Sequence, residues 1–176
     1  MRFILLIMIC CLVLSDSFGQ SDKSISGYLQ ADYNHTLYDQ TKGNNPSGAG
    51  LGILVLYNKN KRIKPAVELS AAFYPGDDKV LRLDPNGEHY EEVPFMINLF
   101  AGAMIQPGRR IYISFLGGPS FIGGQTFAGI KPSLGFYFSE NQRWSGKVSF
   151  INIFNRTSTP RRDFGSISFS LGLRIF

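Results

Sequence analysis

The stretch "GSISFSLGLRIF", residues 165–176, sets Ile167, Phe169, Leu171, Leu173 and Ile175 at every second place, with Ser, Gly or Arg between them. Successive side chains of an extended strand point to opposite sides, so this alternation is that of a strand with one apolar and one polar face. The same pattern runs back through the chain. Ile25, Leu29, Ala31 and Tyr33 oppose Ser26, Gln30 and Asp32, and Ala49, Leu51, Ile53, Val55 and Tyr57 oppose Gly48, Gly50 and Gly52. Ile63, Val67, Leu69, Ala71 and Phe73 oppose Lys64, Glu68 and Ser70, while Val93, Phe95, Ile97, Leu99 and Ile105 alternate with Glu92, Asn98 and Gly102. Three more runs follow: Ile111, Ile113 and Phe115; Ile130, Leu134, Phe136 and Phe138; and Trp144, Val148 and Phe150. With the terminal segment they make eight strands, and no stretch after the N-terminal segment keeps a 3.6-residue period over a helix's length.

The 176 residues amount to one domain. "MRFILLIMICCLVLSDSFGQ" has Arg2, an apolar run from Phe3 to Leu14, then the small residues Ser17 and Gly19. That order predicts a secretory signal peptide over 1–19, with the barrel domain over 20–176. Both cysteines, Cys10 and Cys11, fall inside it, so no disulfide or thiolate chemistry is expected of the mature chain, and neither follows the small residue of a lipoprotein signal. The formal charge of +5 is spread over short clusters, which argues against nucleic acid, whose binding needs many phosphates neutralised along one surface.

The connections alternate in kind. "NKNK" (58–61), "PGR" (107–109) and "SENQ" (139–142) are tight turns, whereas "DQTKGNNPS" (39–47), the segment from Pro75 to Glu91, "GPSFIGGQT" (118–126) and "NRTSTPRRD" (155–163) are expected as long loops. All four long loops then lie at one end of an all-β, eight-stranded, antiparallel up-and-down barrel, an architecture without free edges. Pro132 sits in the middle of the sixth run, where it removes a ladder donor, so a bulge or a later strand start is expected there.

Alternation alone leaves open whether the apolar face looks inward, as in a secreted lipocalin-like carrier of a small apolar ligand, or outward into lipid. Most runs are longer than a soluble strand of about five or six residues and match the roughly nine to eleven that cross a bilayer at a tilt. The opposite face is mostly Gly, Ser, Asn and Ala, with few charges, where a water-exposed surface of about a quarter to a third charged residues is normal. Aromatics gather near strand ends: Tyr33, Tyr38, Phe73, Phe95, Phe127, Phe154 and Phe164 towards the long loops, and Tyr57, Tyr112, Phe138, Trp144 and Phe176 towards the short turns. Two such belts belong to a barrel in a membrane, with its apolar face outward.

The signal peptide, eight amphipathic strands, short turns against long loops and a terminal aromatic strand resemble the small bacterial outer-membrane β-barrel family, the OmpA/OmpX-like eight-stranded type. That resemblance implies an integral protein of the cell outer membrane, a monomer without cofactor, surrounded by outer-membrane lipid. It also implies that Phe176 is the signal read by the barrel insertion machinery and that both termini face the periplasm. By strict alternation, however, Phe176 shares a face with Arg174, Gly172 and Ser170, opposite the apolar set.

An eight-stranded barrel is filled by its own side chains, which disfavours a general porin. Asp32, Glu68, Lys131, Lys147 and Arg174 are expected as a lumen charge network, a salt-bridge plug or the lining of a narrow porin-like channel. A lipid-modifying enzyme would need His35 or His89 beside an acid such as Asp32, Glu88 or Glu91, and no serine stands in a nucleophile motif. Asp84, Asn86, Glu88 and Glu91 supply oxygen donors of the kind calcium takes, but without the EF-hand spacing. Neither a catalytic nor a metal site is therefore expected. Arg156, Arg161 and Arg162 suit lipopolysaccharide phosphates, or would pair with the acidic second loop. The function expected is a non-enzymatic structural or surface-interaction role carried by the long loops.

Overall fold

The structure, a computed structural model, describes residues 25–38, 45–57, 61–76, 82–84, 87–89, 93–158 and 161–176. The signal peptide expected at 1–19 lies outside them. The strands are β1 (Ile25–Tyr38), β2 (Ser47–Tyr57), β3 (Ile63–Phe73), β4 (Arg82–Asp84), β5 (Gly87–His89), β6 (Phe95–Ile105), β7 (Ile111–Ile122), β8 (Gln125–Tyr137), β9 (Trp144–Ser158) and β10 (Arg161–Arg174). Eight of them close a barrel in the order β1-β10-β9-β8-β7-β6-β3-β2, every neighbouring pair antiparallel. The short hairpin β4–β5 stands in the connection between β3 and β6.

The apolar rungs point outward. Leu51 is 64% exposed, Leu69 50% and Leu134 58%, although each lies within a strand. A continuous exposed apolar surface of this kind is foreign to a water-soluble monomer, where such patches rarely exceed a few hundred Å². It is the exterior of a transmembrane barrel, and the inward apolar face that a soluble ligand carrier needs is not the arrangement adopted. Of the expected belt, Tyr33, Tyr38, Phe73, Phe95 and Phe154 are exposed near one rim and Tyr57, Phe138 and Trp144 near the other. Tyr112 and Phe164 instead turn into the lumen, and Phe127 packs partly buried against the same core, because all three fall on the inward parity of their strands.

Three connections differ from expectation. The segment 118–126 is not a loop: β7 continues to Ile122, and only Gly123 (φ 56°) and Gly124 (φ 78°) separate it from β8. Positive φ at both central residues is the two-residue hairpin turn that matches strand twist, and two glycines adopt it without strain. The segment 155–163 is largely strand as well, with Arg161 opposite Ser158 and Arg162 opposite Thr157, after a register shift between Arg162 and Phe164. Asn155 (φ 52°) takes the left-handed position there, and its N–H donates to Asp163 Oδ1 at 2.9 Å. Val93 precedes β6 rather than opening it and is fully buried, its N–H donating to Asn45 Oδ1 at 2.9 Å.

Proline is accommodated without a bulge. Pro132 lies inside β8 opposite Phe115 of β7, while the β8–β9 ladder passes from Ile130↔Asn152 to Ser133↔Ser149 in unchanged register. The missing donor thus falls on the β9 side, where pairing lapses for two residues and resumes. Pro119 does the same on the other side of β7, where the β6–β7 ladder skips from Asn98↔Ser120 to Ala101↔Gly117.

The chain end corrects the parity of its aromatic. Ile175 N–H donates to Gly27 O at 2.9 Å and Gly27 N–H donates to Phe176 O at 3.1 Å, so two residues oppose one. That bulge swings Phe176 out of alternation, and its ring lies over Gly27 where a Cβ would stand. Gly27 shares the outward parity of Ile25 and Leu29, so Phe176 joins the lipid-facing side after all.

Candidate functional site: a plugged lumen

Inward positions carry the residues that alternation leaves between the apolar rungs, and they fill the cylinder in layers. At the end that holds Ile25 and Phe176, Tyr137 packs at a tilt against Tyr28 (centroids 6.1 Å apart) and Tyr112 (5.0 Å), with Met104, Leu56 and Leu116 buried in the same core. Tyr112 lies on Gly135, its cross-strand partner, where any Cβ would overlap the ring. At the other end, Tyr74 and Phe164 meet edge to face at 5.8 Å, with Met96, Phe100 and Ile153 buried in the same core.

Between these layers sits an ionic cluster. Lys131 Nζ donates to Glu68 Oε1 at 2.5 Å, and Lys147 Nζ donates to Glu68 Oε2 at 2.6 Å and to Gln30 Oε1 at 3.0 Å. All three charged side chains are at most 2% exposed. Glu68 belongs to β3 and Lys147 to β9, four strands away in either direction around the ring, so the pair crosses the full width of the lumen. On the neighbouring β2, Leu54 stands opposite Glu68, and the inward glycines Gly52 and Gly50 stand opposite Ser70 and Ala72. Two oxygens of one carboxylate each hold one ammonium, which satisfies the acceptor geometry that burial of charge demands.

Asp32 faces the same lumen, opposite Ser170, and its Oδ1 has no hydrogen-bond partner in the protein. Arg174 stands apart from the cluster, paired in register with Tyr28 at the terminal mouth. Sequence reasoning missed Gln30 and the second polar group, in which Ser120 Oγ donates to Asn98 Oδ1 at 2.7 Å and Asn98 Nδ2 to Ser70 Oγ at 3.4 Å. Their inward parity was the available signal, but neither residue type marks itself as part of a plug.

At the long-connection end, Asn45 ties the walls together. Its Oδ1 accepts from Val93, its Nδ2 donates to Tyr74 O and Pro75 O, both at 3.2 Å, and its backbone oxygen accepts from Thr36 Oγ1 at 2.7 Å. His35 is exposed and, three residues from Asp32, lies on the opposite face of β1, so strand geometry separates the two. His89 falls on β5 and Asp84 on β4, with Glu88 beside them on β5, and their side chains lie outside the description, as do Asn86 and Glu91 altogether. Among the described residues no cluster of His, Cys, Asp or Glu is suited to a metal. Arg156 stands at the β9 bulge, and Arg161 and Arg162 open β10, where only their backbone is described.

A closed antiparallel cylinder with a lipid-facing exterior and a plugged interior defines a small transmembrane β-barrel. The comparisons with known structures agree. Ail, the attachment invasion locus protein of Yersinia pestis, superposes with a TM-score of 0.53 at 13% identity, covering 86% of this chain and 97% of that one. Ail in complex with the heparin analogue sucrose octasulfate gives 0.52 at 14% identity, covering 86% and 97%. Neisserial surface protein A gives 0.50 at 15% identity, covering 84% and 95%. At these identities the likeness is one of fold: the chain has the architecture of the small eight-stranded outer-membrane barrels. The sequence matches no protein-family model and no curated protein.

Proposed function

We propose that this protein is an integral outer-membrane barrel, non-enzymatic and monomeric, that acts as a structural and surface-interacting element through the connections between β1 and β2, β3 and β6, and β9 and β10. The observation that carries the proposal is the pairing of an apolar exterior with a lumen closed by the Glu68, Lys131 and Lys147 cluster and by aromatic layers on both sides of it. A cylinder that conducts nothing freely offers its rim as the working surface. Both comparison proteins bear names of surface proteins, one of them of attachment and invasion, which supports the same assignment. Separation of His35 from Asp32 across the strand favours a non-enzymatic role.

In this orientation the terminal end faces the periplasm and the long connections face outward. Arg156, Arg161 and Arg162 then stand near the outer rim, where guanidinium groups suit the phosphates of lipopolysaccharide. Phe176, on the lipid side of the closing seam, is the residue offered to the insertion machinery. Cell fractionation tests the location: recovery from the detergent-extracted outer membrane with heat-modifiable gel migration is expected, and recovery as a soluble protein would overturn it.

A second reading is favoured by one wall of the lumen. Asp32 Oδ1, Asn34 Oδ1 and the hydroxyls of Ser149, Ser168 and Ser170 are buried without a hydrogen-bond partner in the protein, and they adjoin one another on β1, β10 and β9. Such a strip suits a thin hydrated track, and hence a narrow ion path gated by the cluster. Planar-bilayer recording distinguishes the two: silence of the wild type supports the plug, and single-channel steps enlarged by Glu68→Ala support the path.

A further inference from the structure

The terminal mouth opens into a polar hollow of about 580 Å³, framed by Ser26, Lys61, Arg62, Gln106, Arg109 and Arg174, with Glu140 as the one carboxylate side chain among the described residues of its lining. Its cations come from separate places in the sequence: Lys61 and Arg62 before β3, Arg109 between β6 and β7, and Arg174 at the end of β10. Antiparallel winding sends each of these segments to the same rim.

The hollow is a built feature. Gln106 is buried, and its backbone N–H donates to Arg62 O at 2.7 Å, its Nε2 donates to Arg109 O at 3.1 Å and its Oε1 accepts from Lys64 Nζ at 2.6 Å. One residue therefore ties both arginine-bearing segments, one through its backbone and one through its side chain, and that side chain holds a further cation beneath the floor. On the facing wall, Arg174 N–H donates to Arg143 O at 2.8 Å, and Asn141 Oδ1 accepts from Arg143 N–H at 3.1 Å. Ser26 and Arg174 lie on the inward parity of β1 and β10, so the hollow is aimed along the barrel axis towards water, not sideways at the bilayer.

We infer that this vestibule binds a soluble anion bearing several phosphate groups. Three arginines and a lysine line one concavity, with one carboxylate side chain among the described lining residues, and planar guanidinium forks match phosphate oxygens in pairs. A monovalent anion would leave most of these cations unneutralised; a chain of phosphates spans them.

The test is calorimetric titration of inorganic tripolyphosphate into the protein refolded in zwitterionic detergent. Saturable binding that weakens with added salt is expected, falling at least about tenfold in Arg62→Gln/Arg109→Gln, whose folding is verified by heat-modifiable migration. Arg161→Gln/Arg162→Gln, at the opposite end, should bind as the wild type does. Absence of saturable binding, or loss of it only in the Arg161 and Arg162 variant, would overturn the assignment. Repeating the titration in phosphatidylcholine nanodiscs with and without phosphatidylglycerol separates the source. Equal binding is expected of a soluble ligand, and suppression by the anionic discs would transfer the vestibule to lipid headgroups and overturn it.

Discussion

Replacing Glu68 by Gln removes the acid that both Lys131 and Lys147 touch, at 2.5 and 2.6 Å, in a layer where none of the three side chains is more than 2% exposed. Gln keeps the volume and one acceptor oxygen, so the perturbation is almost purely one of charge. Breaking a buried pair by deleting one partner costs about 3–5 kcal/mol, because the remaining ion stays desolvated. Here two ammonium groups are left, and among the described residues only Lys147 retains another acceptor, Gln30 Oε1 at 3.0 Å. The expected loss is therefore at least ~3 kcal/mol. Removing either lysine instead leaves one neutral pair intact, so Lys131→Met and Lys147→Met should each cost less than about 2 kcal/mol, the scale of one charged hydrogen bond. Urea unfolding in lipid vesicles, followed by gel mobility, measures all three. A Glu68→Gln barrel within about 0.5 kcal/mol of wild type, the usual scatter of surface substitutions, would refute the assignment of the cluster as the structural plug.

Other outcomes follow from the exterior and the walls. Leu69→Lys, in the middle of β3 and facing out, should lose about 2–4 kcal/mol in the same unfolding assay, the cost of a lysine at the bilayer midplane. At a water-exposed position the same change would be nearly neutral. Gly135→Ala drives a methyl into the ring of Tyr112 and should cost roughly 1–3 kcal/mol, whereas Gly108→Ala, with open space around it, should leave unfolding unchanged. Phe176→Ala should lower the amount of barrel recovered from the outer membrane of expressing cells while leaving refolding into detergent intact. Equal failure in detergent would assign Phe176 to stability and not to assembly.

Period-two alternation made the eight barrel strands and the outward face legible, since lipid outside and a crowded axis inside demand opposite chemistry at neighbouring residues. Leu51, Ile53 and Val55 against Gly50, Gly52 and Leu54 show why: the outward set is strictly apolar, while the inward set is only small or mixed. Connections were harder, because length alone does not reveal turn chemistry. Gly123 and Gly124 sit in a polar, glycine-rich stretch that reads as loop, yet their left-handed backbone lets β7 and β8 run to the very tip. Which acid meets which base was illegible for a different reason. Glu68 reaches Lys147 across the barrel, and that distance depends on strand tilt and shear, which no single strand encodes. The sequence places Arg174 on the same inward parity as the cluster, but its position at the end of β10 puts it at the mouth.

The seam between β1 and β10 joins Tyr28 to Arg174 and Gly27 to Phe176, so the earliest strand of the cylinder is zipped to the latest. Until the ribosome has released the whole polypeptide, the sheet has two raw margins, each a row of unanswered amides and carbonyls inviting another chain. Such a topology makes a partial product worthless and hazardous at once, because nothing short of β10 covers either margin.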